Sequence, residues 1–134
     1  MDMTTEKMMT MMPMEMSMDM KLMQQCIEAC AAAEQAATMC ADAAMGEGMA
    51  KMMSMCANTA DMTHTMMRMM MRPTGYDMAS MMGMLEATMM MCRACATECM
   101  MHADMSDHCA MCAEVCTNAV TAMEELKASM PVAG

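Results

Sequence analysis

Phenylalanine and tryptophan are absent from this chain of 134 residues, and Tyr76 is its single aromatic side chain. Leucine occurs only at Leu22, Leu85 and Leu126, isoleucine at Ile27, and valine at Val115, Val120 and Val132. An ordinary aliphatic and aromatic core is therefore excluded. Basic residues are also scarce, seven Lys and Arg against seventeen Asp and Glu, for a formal net charge of −10. That balance argues against a nucleic-acid binder or a polybasic membrane anchor and favours cationic partners. No stretch of about 18 apolar residues runs without charged or polar interruption, so no transmembrane span is expected. The opening MDMTTEKMM carries Asp2 and Glu6 where a secretory leader carries Lys or Arg, so no export signal is read there. Cytoplasmic residence is the expectation, with the periplasm as the alternative had a leader been removed. Also missing are a hydrolytic triad, a phosphate loop, a paired-carboxylate site and the carboxylate-plus-His helical pairs of di-iron bundles. No enzyme is expected.

Sulfur fills the gap: the chain holds 36 Met and ten Cys. Methionine is a flexible gap-filler that specifies packing poorly, so a chain selected only for folding would not use it this way. A Met at helical spacing is ordinarily core. Runs such as Met69-Met70-Met71 and Met89-Met90-Met91, however, cover three helix faces, so some thioethers must lie outside any core.

The length allows one domain, all-α, with four helices of useful length. Residues 1–16 read as a Met-rich arm or short extra helix beginning near Thr4-Thr5-Glu6-Lys7 and interrupted by Pro13. Residues 17–130 read as the bundle and 131–134 as a tail. Ser17 or Asp19 caps a first long helix running to about Met45, where Gly46-Glu47-Gly48 stops it. A second helix spans about 49–71 and ends at Arg72-Pro73-Thr74-Gly75-Tyr76. Asp77 caps a third to about Met101, and Ser106 caps a fourth to about Ser129, before Pro131. Short connections between long helices imply an antiparallel, up-down-up-down four-helix bundle.

Steps of three and four place the cysteines on inward seams. The first helix gives Cys26, Cys30, Ala33, Ala37, Cys40 and Ala44; the second Met49, Met52, Cys56, Ala60, Thr63, Met67 and Met70. The third gives Met81, Leu85, Thr88, Cys92, Cys95 and Cys99; the fourth Cys109, Cys112, Cys116, Ala119 and Met123. The third and fourth share a repeated C-x2-C-x3-C pattern, and folding one onto the other is expected to pair Cys99 with Cys109, Cys95 with Cys112 and Cys92 with Cys116. With Cys40 and Cys56, eight thiols then crowd one half of the bundle, with His102 and His108 at its mouth. Cys26 and Cys30 form a separate dithiol in the other half, among Met66, Met67, Met70, Met78, Met81, Met82 and Met123.

Three chemistries compete for these cysteines. A disulfide framework suits loop-rich scaffolds, and cysteines three or four apart on one helix point the same way. Zinc prefers isolated four-ligand sets, whereas these thiols form continuous rows. Cu(I) is selected by thiolate with thioether, accepts low coordination numbers, and fits facing pairs of sulfurs. The ligand candidates are the ten cysteines, His102 and His108, and Met52, Met66, Met70, Met81 and Met123, holding several Cu(I) ions per chain. His64 reads as a solvated polar residue, and Glu28, Glu34, Asp42, Glu98 and Glu114 as an outer charged face. The alternatives are a Met-rich helical interaction module or a bundle sequestering zinc or another soft metal.

The segments CIEACAAAEQAATMCADA (26–43), TGYDMASMMGMLEATMMMCRACATEC (74–99) and HCAMCAEVC (108–116) resemble the bacterial copper storage proteins. The resemblance covers about residues 20–128. It implies a Cu(I)-storing four-helix bundle, often a homotetramer, with cysteines down the core and His or Met near the open end. Positions commonly Cys in that family are here Ala33, Ala37, Ala44, Ala60, Thr63, Thr88 and Ala119, so thiol capacity should be reduced. The methionine load fits a Met-rich branch of the family or an engineered member.

Overall fold

The computed structural model describes residues 3–11 and 19–130. Within them α1 (Met3–Met11) is followed by α2 (Met20–Gly46), α3 (Ala50–Met70), α4 (Met78–Met100) and α5 (Asp107–Ser129). Each long helix packs on its two neighbours, α2 on α3 and α5, α4 on α3 and α5, while the diagonal backbones stay apart and meet only through side chains in the core. This is the antiparallel square bundle that the short connections require. The arm is helical over α1, which rests on α2 and buries Met9. Pro13, Met14, Met16, Met18, the alternative cap Ser17, and the tail from Pro131 lie outside the described residues.

The helix ends follow local chemistry. Asp19 caps α2 by accepting from the Leu22 N–H at 3.0 Å, and Asp77 caps α4 by accepting from Ser80 N at 3.1 Å. The Ser80 hydroxyl and N–H both donate to Asp77 and hold its carboxyl below the usual carboxylate range. At the α2–α3 turn Gly48 takes φ 72, the left-handed conformation that glycine adopts without steric penalty. This lets Met49 N–H reach back to the Ala44 carbonyl at 3.0 Å. Tyr76 ties down the α3–α4 connection by donating to the Met70 carbonyl at 2.6 Å, and burial pushes its phenol up to about 12. Ser106, itself buried, caps α5 through the Cys109 N–H at 3.4 Å. Ser106→Ala is therefore expected to cost about 1 kcal/mol, read as a lowered thermal midpoint of the metal-free protein.

Every expected seam residue of α2, α4 and α5 is buried. On α3 the seam differs: Met49 and Met67 are only half-buried, and Thr59 and Met66 are fully enclosed instead. The inward line is Met52, Cys56, Thr59, Thr63, Met66 and Met70, with Ala60 at its edge. A straight helix of 3.6 residues per turn fixes only the average step, and packing against α2 and α4 decides where each three or four falls. At the end remote from the α2–α3 turn, Met23, Met66, Met70, Met81, Met123 and Leu126 are fully buried. Each contributes about 1.5–3 kcal/mol of transfer free energy. Met67, Met78 and Met82 pack half-buried around them. Methionine has taken the place of the aliphatic core.

Candidate metal centre

All ten cysteines are free and at most 1% exposed. Toward the end closed by the α2–α3 and α4–α5 turns, the four seams converge on one ring. Cys40 of α2, Cys56 of α3, Cys99 of α4 and Cys112 of α5 bring their Sγ atoms all within 4.8 Å of one another. Two further groups share members with the ring. Cys95 and Cys116 join Cys112 on its inner side, and His108 and Cys109 join Cys40 on its outer side. Cys56 and Cys95 stand 3.8 Å apart, Cys40 and Cys109 3.9 Å. The Met52 thioether lies 3.5 Å from Cys56 Sγ and 3.6 Å from Cys99 Sγ.

His108 begins the first turn of α5, and its ring reaches the end of α2. Its Nδ1 is 3.1 Å from Cys40 Sγ and 3.6 Å from Cys109 Sγ, while Nε2 is 2.6 Å from Glu47 Oε1. An N–H donated from Nε2 to the carboxylate leaves the Nδ1 lone pair toward the sulfurs, the tautomer a metal ligand needs. Glu47 escaped the sequence reading, where it was only the middle of a turn.

Proton affinity is divided unevenly over the cluster. Hydrogen bonds from Cys112, Cys116, Cys56 and Cys99 hold Cys95 below the usual thiol range against the opposing effect of burial. Cys116 is pushed up by its hydrogen bonds with Cys112, Cys92 and Cys95 and by burial. The hydrogen bond with Cys112, then that with Cys95 and burial, raises Cys99; burial first of all raises Cys40. Cys112 acts downward on Cys56, and Cys116 and Cys99 act downward on Cys112. Their other thiol contacts and burial outweigh these, and both end raised. Cys95 is thus the thiol whose anion its neighbours support.

The expected dithiol is not isolated. Cys30 is raised by its hydrogen bond with Cys26, by burial, and by the nearby charges of Cys26 and Cys92. Cys92 in turn contacts Cys116. A sulfur line therefore runs from the His108 mouth to Cys26, reaching farther than the two expected halves. Of the expected facing pairs, Cys95 meets Cys112 and Cys92 meets Cys116, with Cys95 also beside Cys116, whereas Cys99 meets Cys112 in place of Cys109. Cys109 turns to Cys40 and His108, because α5 neighbours α2 as well as α4.

Among the described residues, His102 belongs to none of the sulfur groups. Half-buried, it sets Nε2 3.9 Å from Glu98, whose side chain is only 12% exposed and also meets Lys51 at 3.4 Å. Glu98 is therefore not part of a solvated face. His64 is exposed and bridges α3 to α2 through Glu34 at 2.6 Å, away from every thiol.

The donors present suit Cu(I). A metal–thiolate bond of about 2.3 Å sets two ligand sulfurs about 3.8 Å apart in a tetrahedron and about 4.6 Å apart in a line. The Cys56–Cys95 and Cys40–Cys109 spacings, 3.8 and 3.9 Å, fall in that range. Because Cys40 and Cys112 each belong to two groups, thiolates are placed to bridge ions, where a structural zinc site would be closed by four ligands of its own.

Comparison with known proteins gives a consistent picture. The family model described as copper storage protein matches residues 15–128. A solved structure of the Streptomyces lividans copper storage protein Ccsp loaded with 10 copper equivalents is 32% identical and superposes with a TM-score of 0.90, covering 94% of this chain and 99% of that one. A histidine-to-alanine mutant of Streptomyces lividans Ccsp is 34% identical, with a TM-score of 0.82 over 86% of this chain and 99% of that one. A five-copper form of the cytosolic protein from Streptomyces lividans is 36% identical, with a TM-score of 0.77 over 81% of this chain and 93% of that one. No curated protein matches.

Proposed function

The chain belongs to the copper storage protein family, and from that membership we propose how it stores copper: as a non-catalytic cytosolic reserve that holds several Cu(I) ions per chain along its sulfur line. The observation that carries this reading is the ring of Cys40, Cys56, Cys99 and Cys112, one thiol from each long helix. Copper enters past His108 and Cys109, fills the ring and the Cys95–Cys116 group, and reaches Cys92, Cys30 and Cys26 last. Met52 supplies a neutral ligand beside the ring. Met66, Met70, Met81 and Met123 offer thioethers at the inner end, and His102 a second nitrogen near the mouth. The solved relatives loaded with five and ten coppers support a multi-ion store.

Residues 1–16 act as the arm, 17–130 as the storing bundle and 131–134 as the tail. The family resemblance makes a homotetramer the expected assembly. Cytosolic residence rests on the relative described so. No helix of the described residues is long and apolar enough to cross a membrane. The interaction-module reading needs one contiguous thioether patch. The strongly exposed methionines are instead spread over α1, α2, α4, α5 and two turns, from Met3 to Met111.

Anaerobic titration with Cu(I) against a chromophoric chelator tests the proposal. Several tightly held equivalents per chain are expected, and a stoichiometry of one or none rejects storage.

A further inference from the structure

Helices α3, α4 and α5 contain seven threonines. In six of them (Thr59, Thr63, Thr65, Thr97, Thr117 and Thr121) the hydroxyl donates to the carbonyl one turn back, at 2.8–3.2 Å. Thr88 is the exception. It is fully buried, and its Oγ1 is the only buried side-chain oxygen or nitrogen among the described residues that has no hydrogen-bond partner. A buried hydroxyl left this way destabilises the fold, and the ordinary helical remedy used six times nearby is not used here.

Its location gives the orphan a purpose. Thr88 lies on the inward seam of α4, one turn before Cys92 and one turn after Leu85. The register that sets Cys99 at the height of Cys40 sets Thr88 at the height of Cys30. Cys26 and Cys92 both act on Cys30, and that register puts Thr88 level with these innermost thiols, none of which serves its hydroxyl as a hydrogen-bond partner in the metal-free chain. A neutral thiol is a weak acceptor, but a thiolate accepts strongly from O–H. Copper binding makes that change without redox chemistry: Cu⁺ replaces the proton on sulfur, the proton leaves to water, and the sulfur keeps its negative charge.

We propose that Thr88 is a positioning residue for the inner copper, its hydroxyl donating to a copper-bound thiolate of the Cys30–Cys92 pair. The inference rests on the storage reading and goes beyond it: the inner group is completed by an oxygen donor that has no role in the metal-free protein. Metal-free stability and copper retention then respond to its loss in opposite directions, which no purely structural residue would do.

The test compares Thr88→Val, which keeps the shape and removes the hydroxyl, with Thr88→Ser, which keeps the hydroxyl. Thr88→Val is expected to raise the melting temperature of the metal-free protein by about 4 °C. It should also weaken the last-bound Cu(I) equivalents about tenfold in competition with a chromophoric chelator, leaving the first-bound equivalents unchanged. Thr88→Ser should retain copper as the unaltered protein does. In a Cys26→Ala/Cys30→Ala background the copper effect of Thr88→Val should vanish. Unchanged inner retention in Thr88→Val overturns the proposal, as does a fall in metal-free stability together with uniform loss of copper. If the unaltered protein takes up no copper, the storage reading fails first; if it does and the inner equivalents ignore Thr88→Val, only the present inference fails.

Discussion

Replacing Cys56, Cys99 and Cys112 together by alanine is expected to remove most of the rise in melting temperature that Cu(I) gives the unaltered protein. These three residues supply three corners of the four-helix ring, and Cys112 also links the ring to Cys95 and Cys116. A ligand that binds the folded chain stabilises it by about 4 kcal/mol per site when present at a thousand times its dissociation constant. For a domain of this size that corresponds to a shift of roughly 10–20 °C. Copper bound by the ten thiols of the unfolded chain reduces the gain but does not cancel it, because only the folded bundle preorganises the spacing. The metal-free cost is smaller, about 1 kcal/mol for each buried sulfur removed. Scanning calorimetry with and without anaerobic Cu(I) separates the two effects. The Cys26→Ala/Cys30→Ala pair, at the far end of the line, should keep most of the copper-induced shift. If the triple variant keeps it in full, the ring is not the principal seat of copper.

Much of this architecture was legible in the sequence because the deciding forces are local. Asp19, Asp77 and Ser106 are caps whose side chains satisfy N–H groups three residues on. Gly48 ends a helix through its own dihedral freedom. The seams of α2, α4 and α5 were fixed by cysteine spacing. The α3 seam was not, since alanine, threonine and methionine at 59, 60, 66 and 67 suit either phase until a neighbour packs on them. The same limit applies to the site. His102 and His108 look equivalent as residues flanking one turn, yet Glu98 engages the first, while the second crosses to α2 and meets Glu47. The link from Cys30 to Cys92 depends on the vertical register of two helices at opposite corners of the bundle, and no spacing rule within one helix contains it. Thr88 illustrates the point most sharply: the sequence shows a threonine on an inward seam, and only packing shows that its hydroxyl is left without a partner.

Raising the pH should weaken the metal-free bundle and strengthen the copper-loaded one. In the free protein Cys30, Cys40, Cys56, Cys99, Cys112 and Cys116 are all raised, through thiol hydrogen bonds and burial, from the ordinary value of 9.0. A raised folded-state value means that the folded chain holds the proton after the unfolded chain has released it. The associated stability is complete below pH 9.0 and is lost as the pH climbs above it. Cys95, lowered, acts with the opposite sign and only below pH 9.0, so it does not offset the other six above that point. Each raised thiol contributes about 1.4 kcal/mol of lost stability per pH unit there, so the metal-free melting temperature should fall steeply between about pH 9 and about pH 10.5. Copper reverses the slope. Every thiolate ligand it takes must first lose a proton, so each proton displaced tightens binding about tenfold per pH unit while the thiols remain protonated. The mouth and ring should therefore release copper on acidification, and any equivalent that survives must be held by thioethers, which carry no proton to compete. Melting curves of the free and loaded protein recorded across the same pH series decide the matter. Parallel curves would mean that the core thiols are not protonated in the free protein, and the unequal proton affinities assigned to the cluster would be wrong.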